Sequence, residues 1–541
     1  MLIAVAMVEL VIAERSRKLL TAAVWTGAVT VAGYHLFLEA ATITLPEPMG
    51  IWETAYSSID RMWPNQYHLG NFVLGHDNYG PGYPAFCRPF LWAFANVLVA
   101  HRVANLVLIA GASLLVGLLV RINRGSPSIT AAVVAIFFAL NAGTYSIQAR
   151  PDFLVLLEVA AILAVGQFAA QRRIEPLPAG LLLGALTLAA YLTKPYSLFA
   201  WGAVASFLVL FSGFGFGTRV AALSGAIWVA GVAAYSRTNP YYFFETFQAH
   251  LAHTSPDFHW FLHQCGDFAL LACGPLLAIA GGIALWFRRP VQVGPGPVPR
   301  LSREALYWGW VACLAASALA LGLGWHTGAY LTYFIHLALV PICLCATIAT
   351  RSDAGAQESQ WAWLPMLANM VVLMALAPGC PKVDRGWLEL QDDVLRQPGQ
   401  VVVDSVMEPM AKERDGVTVA DTGMIGYALA EPGLFPRPSA AASSAGKEVE
   451  DFRRGQSAWF KGHQPSAVYL DFVTLQAPGG RPGEESYFLL NGLPWFSREN
   501  MVDYKPVRSF RIRPFYWATN ERRQFAGTWE IYVIKFVRRP Q

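Results

Sequence analysis

One stretch of the chain carries Glu47, Glu53, Asp60 and Asp77 and runs directly into Asn78-Tyr79-Gly80-Pro81-Gly82-Tyr83-Pro84. A carboxylate is the usual side chain for taking a proton from a hydroxyl, although acids in a loop are more often plain solvated charge. Complementary groups stand farther along, in Arg150-Pro151-Asp152 and Lys194-Pro195-Tyr196, with Arg102 before them. All three cations lie where long apolar segments end, so they can meet a lipid phosphate without entering hydrocarbon. A simpler role is open to each: Lys194 can snorkel, and Asp152 can cap a helix while pairing with Arg150.

His250, His253, His259 and His263, with Asp257 among them, are spaced by three and four, which puts each pair on one helical face as metal ligands are presented. Pro256 interrupts the run, and interfacial packing or phosphate hydrogen bonding explains the same residues. Tyr330 and Tyr333, in Gly328-Ala-Tyr-Leu-Thr-Tyr333, read as an aromatic belt. No P-loop, serine elbow or zinc-protease helix is visible, and Gly213-Phe-Gly-Phe-Gly217 has no preceding strand, so it reads as a turn. A formal charge of +4 is too small and dispersed for nucleic acid.

The elements that must position these residues are membrane spans. With 55% hydrophobic and 14% charged residues, the chain cannot hide its apolar surface in one water-soluble core. About eleven apolar segments of spanning length fill residues 1–380: 19–40, 103–120, 129–145, 153–170, 177–193, 197–211, 220–236, 268–287, 305–323, 330–349 and 361–377. The fifth and sixth are short enough for a re-entrant pair. Alternate loops hold thirteen Lys and Arg against six in the others, which places the amino terminus in the cytoplasm and the tail outside.

Residues 41–102 then form a long first outer loop, with 90–100 expected as an interfacial helix. Residues 1–13 are expected as a second interfacial helix, since their basic residues follow the apolar run, the wrong order for a cleaved signal. Residues 381–541 read as a small α/β domain with strands at 401–404, 417–421, 467–472, 507–512 and 530–537. Cys87, Cys265 and Cys380 fall near the outer face, where one disulfide could form.

Taken together, several motifs resemble the bacterial GT-C glycosyltransferases: the acidic first outer loop entering Tyr79-Gly-Pro-Gly-Tyr83-Pro84, Gln148-Ala-Arg150-Pro-Asp152, Leu192-Thr-Lys194-Pro195, Gly328 to Phe334, and Ala420-Asp-Thr-Gly-Met-Ile-Gly-Tyr427 in the tail. The similarity is to the group of lipid A aminoarabinose transferases and protein mannosyltransferases. It implies a multi-pass α-helical membrane enzyme of about eleven spans, with a periplasmic C-terminal α/β domain, in the inner membrane of a bacterium. Its donor is a sugar on a polyprenyl phosphate, its acceptor an envelope glycan or lipid, and it works among membrane lipids without nucleic acid.

By that resemblance the catalytic acid is Glu53, with Glu47 second and Asp60 third; most relatives have Asp there. Asp152 matches the second acidic position, orienting the acceptor or holding a metal. Lys194, Arg150 and Arg102, with Tyr330 and Tyr333, fall to the donor phosphate and its lipid. Tyr79, Tyr83, His250 and His253 fall to the acceptor or a gate. No cofactor is fixed, and a divalent ion, Mg or Mn, is left open at Asp152, His259 and His263. The competing class is a flippase or polymerase of lipid-linked saccharides. Transporters commonly show two related halves and charge near mid-membrane, and the sequence reading finds neither.

Overall fold

The computed structural model describes residues 2–43, 80–145, 150–239, 242, 257–288, 302–325, 331–351, 363–377, 384–404, 407, 410, 414–420, 454, 458–471, 498–512 and 531–540. Among the described residues, seven helices are long and apolar enough to cross a membrane, or eight if one bent pair is a single span. This is the architecture of a multi-pass helical membrane protein. The helices are α1 (Leu2–Ile43), α2 (Gly82–Ala93), α3 (Val97–Ile122), α4 (Pro127–Tyr145), α5 (Asp152–Ala170), α6 (Pro176–Thr193), α7 (Leu198–Phe211), α8 (Phe214–Thr238), α9 (Phe258–Leu271) and α10 (Cys273–Arg288). After them come α11 (Arg303–Leu323), α12 (Leu331–Ala349) and α13 (Trp363–Leu376). Three apolar helical stretches are shorter: Pro127–Gly143, Pro195–Phe211 and Trp363–Leu376. The 14 residues of α13 rise only about 21 Å, less than the roughly 30 Å hydrocarbon core.

The structure departs from the sequence reading at three places, each for a local reason. The eighth segment is not one rod: α9 and the start of α10 meet at 81°. Gly274-Pro275 follows the bend, and Pro275 has no amide hydrogen to continue the ladder. Asn369 of α13 closes the break, its side chain accepting from the Gly274 amide at 2.7 Å and donating to the Leu271 carbonyl at 2.8 Å. Residues 90–100 do not form one interfacial helix either. Helix α2 ends at Phe94 in extended backbone, and the Asn96 side chain caps the next helix by accepting from the Leu98 and Val99 amides. Finally, residues 2–13 are not a separate element but the first turns of α1, in a run without glycine or proline to break it.

Packing between spans relies on small residues and amide pairs. Gly180 and Gly184 let α6 lie against α8, where a Cβ on Gly184 would stand 2.9 Å from Ile227. Asn123 and Gln167 exchange two side-chain hydrogen bonds, at 2.9 and 3.0 Å, tying the end of α3 to α5. Leu181 and Leu182, about half exposed, point away from this seam toward the lipid.

The last part of the chain builds a five-stranded sheet: β1 (Val401–Asp404), β2 (Val417–Ala420), β3 (Ala467–Asp471), β4 (Tyr504–Ile512) and β5 (Ile531–Arg538), in the order β2-β1-β3-β5-β4. The β1 strand runs parallel to β2 and β3, while β5 runs antiparallel to β3 and β4. Alternation along the strands sends Val401, Val403, Ala467 and Tyr469 to one apolar cluster with Trp387 and Leu390 of helix α14 (Arg385–Arg396). Val402, Val468 and Leu470 go to the opposite cluster with Phe460 and Met501. Asp393 pins α14 to the sheet, accepting from the Tyr469 hydroxyl at 2.6 Å and pairing with Lys535 at 2.7 Å. Burial and that carboxylate push the Tyr469 phenol far above its ordinary range, so it stays a donor.

Asn369→Leu leaves the Leu271 carbonyl and the Gly274 amide buried without their partner, each at a cost of about 1–3 kcal/mol. The thermal unfolding midpoint of the purified chain in detergent falls in this variant. Gly202→Ala, inside α7 where an added Cβ meets nothing within 4 Å, does not lower the midpoint.

Candidate functional site

Two prolines bring the charged residues together. Pro151 precedes α5 and leaves Asp152 in its first turn, where a carboxylate suits the positive end of the helix dipole. Pro195 disfavours helical backbone at the residue before it, and α6 stops there with Lys194 extended at φ −148°, ψ 120°. The Lys194 ammonium thereby reaches the Asp152 carboxylate at 2.8 Å, with side-chain exposures of 3% and 4%. Taking such a pair out of water is expensive, so its presence at two span ends calls for a reason other than stability.

A third element completes the cluster. The π-helical turn Ile335–Leu339 within α12 carries the buried His336, whose Nε2 lies 4.0 Å from Asp152. The other ring nitrogen of His336 is hydrogen-bonded to the Tyr196 hydroxyl. Tyr196 also packs on Tyr333, ring centroids 4.5 Å apart, and the Lys194 ammonium sits 5.7 Å from the Tyr196 ring. Arg150 is buried two residues before Asp152 and adds its positive charge to the field at both Asp152 and Lys194. Arg150, Asp152 and Lys194 carry two positive charges and one negative, a net +1 suited to an anion.

The segment that enters α2 packs against this cluster. The Gly80 amide donates to the Thr193 carbonyl at 3.2 Å, one residue from Lys194. A side chain at Gly80 would place its Cβ 1.7 Å from the Leu192 carbonyl oxygen, and one at Gly82 would stand 2.2 Å from the Thr193 hydroxyl. Only glycine lets the chain entering α2 press onto the end of α6 this closely. Below that contact, Thr193 donates to Glu158 Oε1 at 3.2 Å, while Glu158 Oε2 is buried without a hydrogen-bond partner.

Of the residues singled out from sequence, Asp152, Lys194, Arg150 and Tyr333 are brought together. Arg102 donates to the Thr42 carbonyl at 2.7 Å and to that of Ile43 at 3.5 Å, closing the end of α1. Tyr83 is fully buried, with its hydroxyl 2.8 Å from Asn105 Oδ1 and 3.3 Å from His101 Nδ1. His263 pairs with Asp267 at 3.4 Å, and His259 does not join it with Asp152. Among the described residues no three His, Cys, Asp or Glu converge as metal ligands, so no step is assigned to an ion. Glu47, Glu53, Asp60, Tyr79, Tyr330, His250 and His253 lie outside the described residues. Cys87 and Cys265 are free thiols, and Cys380 also lies outside.

His336 and Glu158 escaped the sequence reading. Both are ionisable residues within apolar segments, Leu331-Thr-Tyr-Phe-Ile-His336 and Phe153-Leu-Val-Leu-Leu-Glu158, which is itself a functional signal. Glu158 stands at the seventh position of the 19-residue α5.

Lys194→Met strands the Asp152 carboxylate and destabilises the chain by about 3–5 kcal/mol, whereas Lys194→Met with Asp152→Leu recovers part of that loss. Thermal unfolding of the three proteins in detergent measures both effects. No family model matches this chain, and no curated protein matches it, so the roles of these side chains are read from their geometry.

Proposed function

We propose that the chain is an inverting glycosyltransferase of GT-C type in a bacterial inner membrane. It crosses the bilayer about eleven times, with the amino terminus in the cytoplasm and residues 381–541 as an α/β domain in the periplasm. The donor is a sugar on a polyprenyl phosphate, and the acceptor is a glycan or lipid of the envelope. The observation that carries this reading is the buried Lys194–Asp152 pair at two span ends, directly beneath the end of the first outer loop.

The chemistry fits those residues. The bond from the anomeric carbon to the phosphate oxygen breaks, a bond to the acceptor oxygen forms, and the acceptor proton passes to a carboxylate of the first outer loop. Glu53 is the first choice for that base, followed by Glu47 and Asp60. The departing phosphate gains one negative charge, which Lys194 and Arg150 stabilise at the boundary between water and hydrocarbon. Asp152 holds Lys194 in place, and Tyr196 and Tyr333 offer an aromatic wall for the lipid or the sugar. A transporter of the same lipid-linked saccharide is the second reading, favoured by Glu158 and His35, both buried inside spans.

Purified protein in liposomes, given radiolabelled polyprenyl-phosphate sugar and envelope extract, is expected to move label into the acceptor fraction. Lys194→Gln lowers that transfer about 100-fold or more. Glu53→Gln abolishes it; undiminished transfer there shifts the base to Glu47 or Asp60. Label that crosses the bilayer still attached to its lipid, with no acceptor labelled, supports the transporter and excludes the enzyme.

A further inference from the structure

At the opposite ends of α5 and α6 from the Asp152 cluster, a surface pocket of about 600 Å³ is lined by Arg172, Glu175, Phe214, Phe216 and Arg219, among others. The 19 residues of α5 set the two sites about 28 Å apart, nearly the thickness of the hydrocarbon core. The pocket lies within the usual size range of small-ligand clefts, about 300–1,000 Å³.

Three independent features give it the same character. Arg172, at φ 58°, lays its guanidinium 3.7 Å over the Phe216 ring and donates to the Ser212 carbonyl, which fixes one cation at the rim. Arg219 contributes a second from the first turns of α8, and Glu175 is the one acid in the lining. Gly213, at φ 88°, starts α8 at the pocket, so the positive end of that helix adds to the field. The neighbourhood is also greasy: Phe214 is 74% exposed and, one residue past Pro176 of the lining, Leu177 is 63% exposed. A site for a soluble anion has no use for exposed Phe and Leu beside it. A lipid needs both, cations for its phosphate and apolar flanks for its chains.

We propose that this pocket binds the phosphate headgroup of an anionic phospholipid, at the membrane face opposite the Asp152 cluster. Arg219 contacts the phosphate, and Arg172, held by Phe216 and Ser212, forms the fixed wall. The site is separate from any donor or acceptor position and does not depend on the transferase reading.

Native mass spectrometry of the full chain, released from micelles containing phosphatidylglycerol or phosphatidylcholine, tests this. Phosphatidylglycerol is expected to be retained in preference to phosphatidylcholine. Arg219→Gln weakens its retention about fivefold, as expected for one basic residue at a lipid surface. The thermal unfolding midpoint in lipid-free detergent stays unchanged, and Arg385→Gln, on the exposed face of α14, retains lipid like wild type. Equal retention of both lipids overturns the proposal. So does wild-type retention by Arg219→Gln and by the Arg172→Gln, Arg219→Gln pair. Displacement of the lipid by millimolar glycerol phosphate assigns the pocket to a soluble anion instead and equally overturns it. If Arg172→Gln disturbs the Ser212 turn, the single Arg219→Gln variant decides.

Discussion

A lysine and an aspartate shut away from water at the edge of a bilayer impose a strict geometric demand. Their charges are tolerable only while they touch, and they touch only if α5 begins and α6 ends at the same level. Much of the neighbouring structure serves that registration. Pro151 and Pro195 set the two helix ends, and Thr193 links α6 to Glu158 on α5. Gly80 and Gly82 press the segment entering α2 onto the junction, while the π-helical turn of α12 swings His336 in from a third direction. Four segments distant in sequence are thus held to one small volume.

The same logic of satisfying polar groups runs through the spans. Where hydrocarbon surrounds a helix, a break in the backbone ladder must be filled by a side chain, and Asn369 does this at the bend between α9 and α10. Arg102 does it for the last carbonyls of α1, and the Asn123–Gln167 pair closes two amides on each other. These residues look alike in composition to those of the Asp152 cluster, yet each has an evident structural duty. The Asp152 cluster differs in combining opposite charges, an imidazole and two tyrosines beside the segment that enters α2. Near the other ends of α5 and α6, Arg172 and Arg219 line a pocket with Glu175 and the exposed Phe214.

Spans and strands were legible because their signals are local. Apolar runs marked the helices, and the five alternating runs of the tail each became a strand, since period-two burial leaves a plain trace. Arg150, Asp152 and Lys194 were legible because charges at span ends stand out against apolar neighbours. The bend at Ala272 was not, because the segment keeps its hydrophobicity through the break and only Gly274-Pro275 betrays it. His336 and Glu158 carry a weaker local trace, each a single ionisable residue within an apolar run. The hydrogen bonds of Arg102 to Thr42 and Ile43 depend on a contact sixty residues away that spacing does not encode.

The most direct test of the central claim is an experimental structure of the chain in nanodiscs with a bound polyprenyl phosphate. The phosphate is expected within hydrogen-bonding reach of Lys194 and Arg150, with the isoprenoid leaving past Tyr196 and Tyr333 into the bilayer and a first-loop carboxylate facing the open side. A phosphate bound anywhere else, with the Lys194–Asp152 pair closed and no passage from it to lipid, would contradict the account.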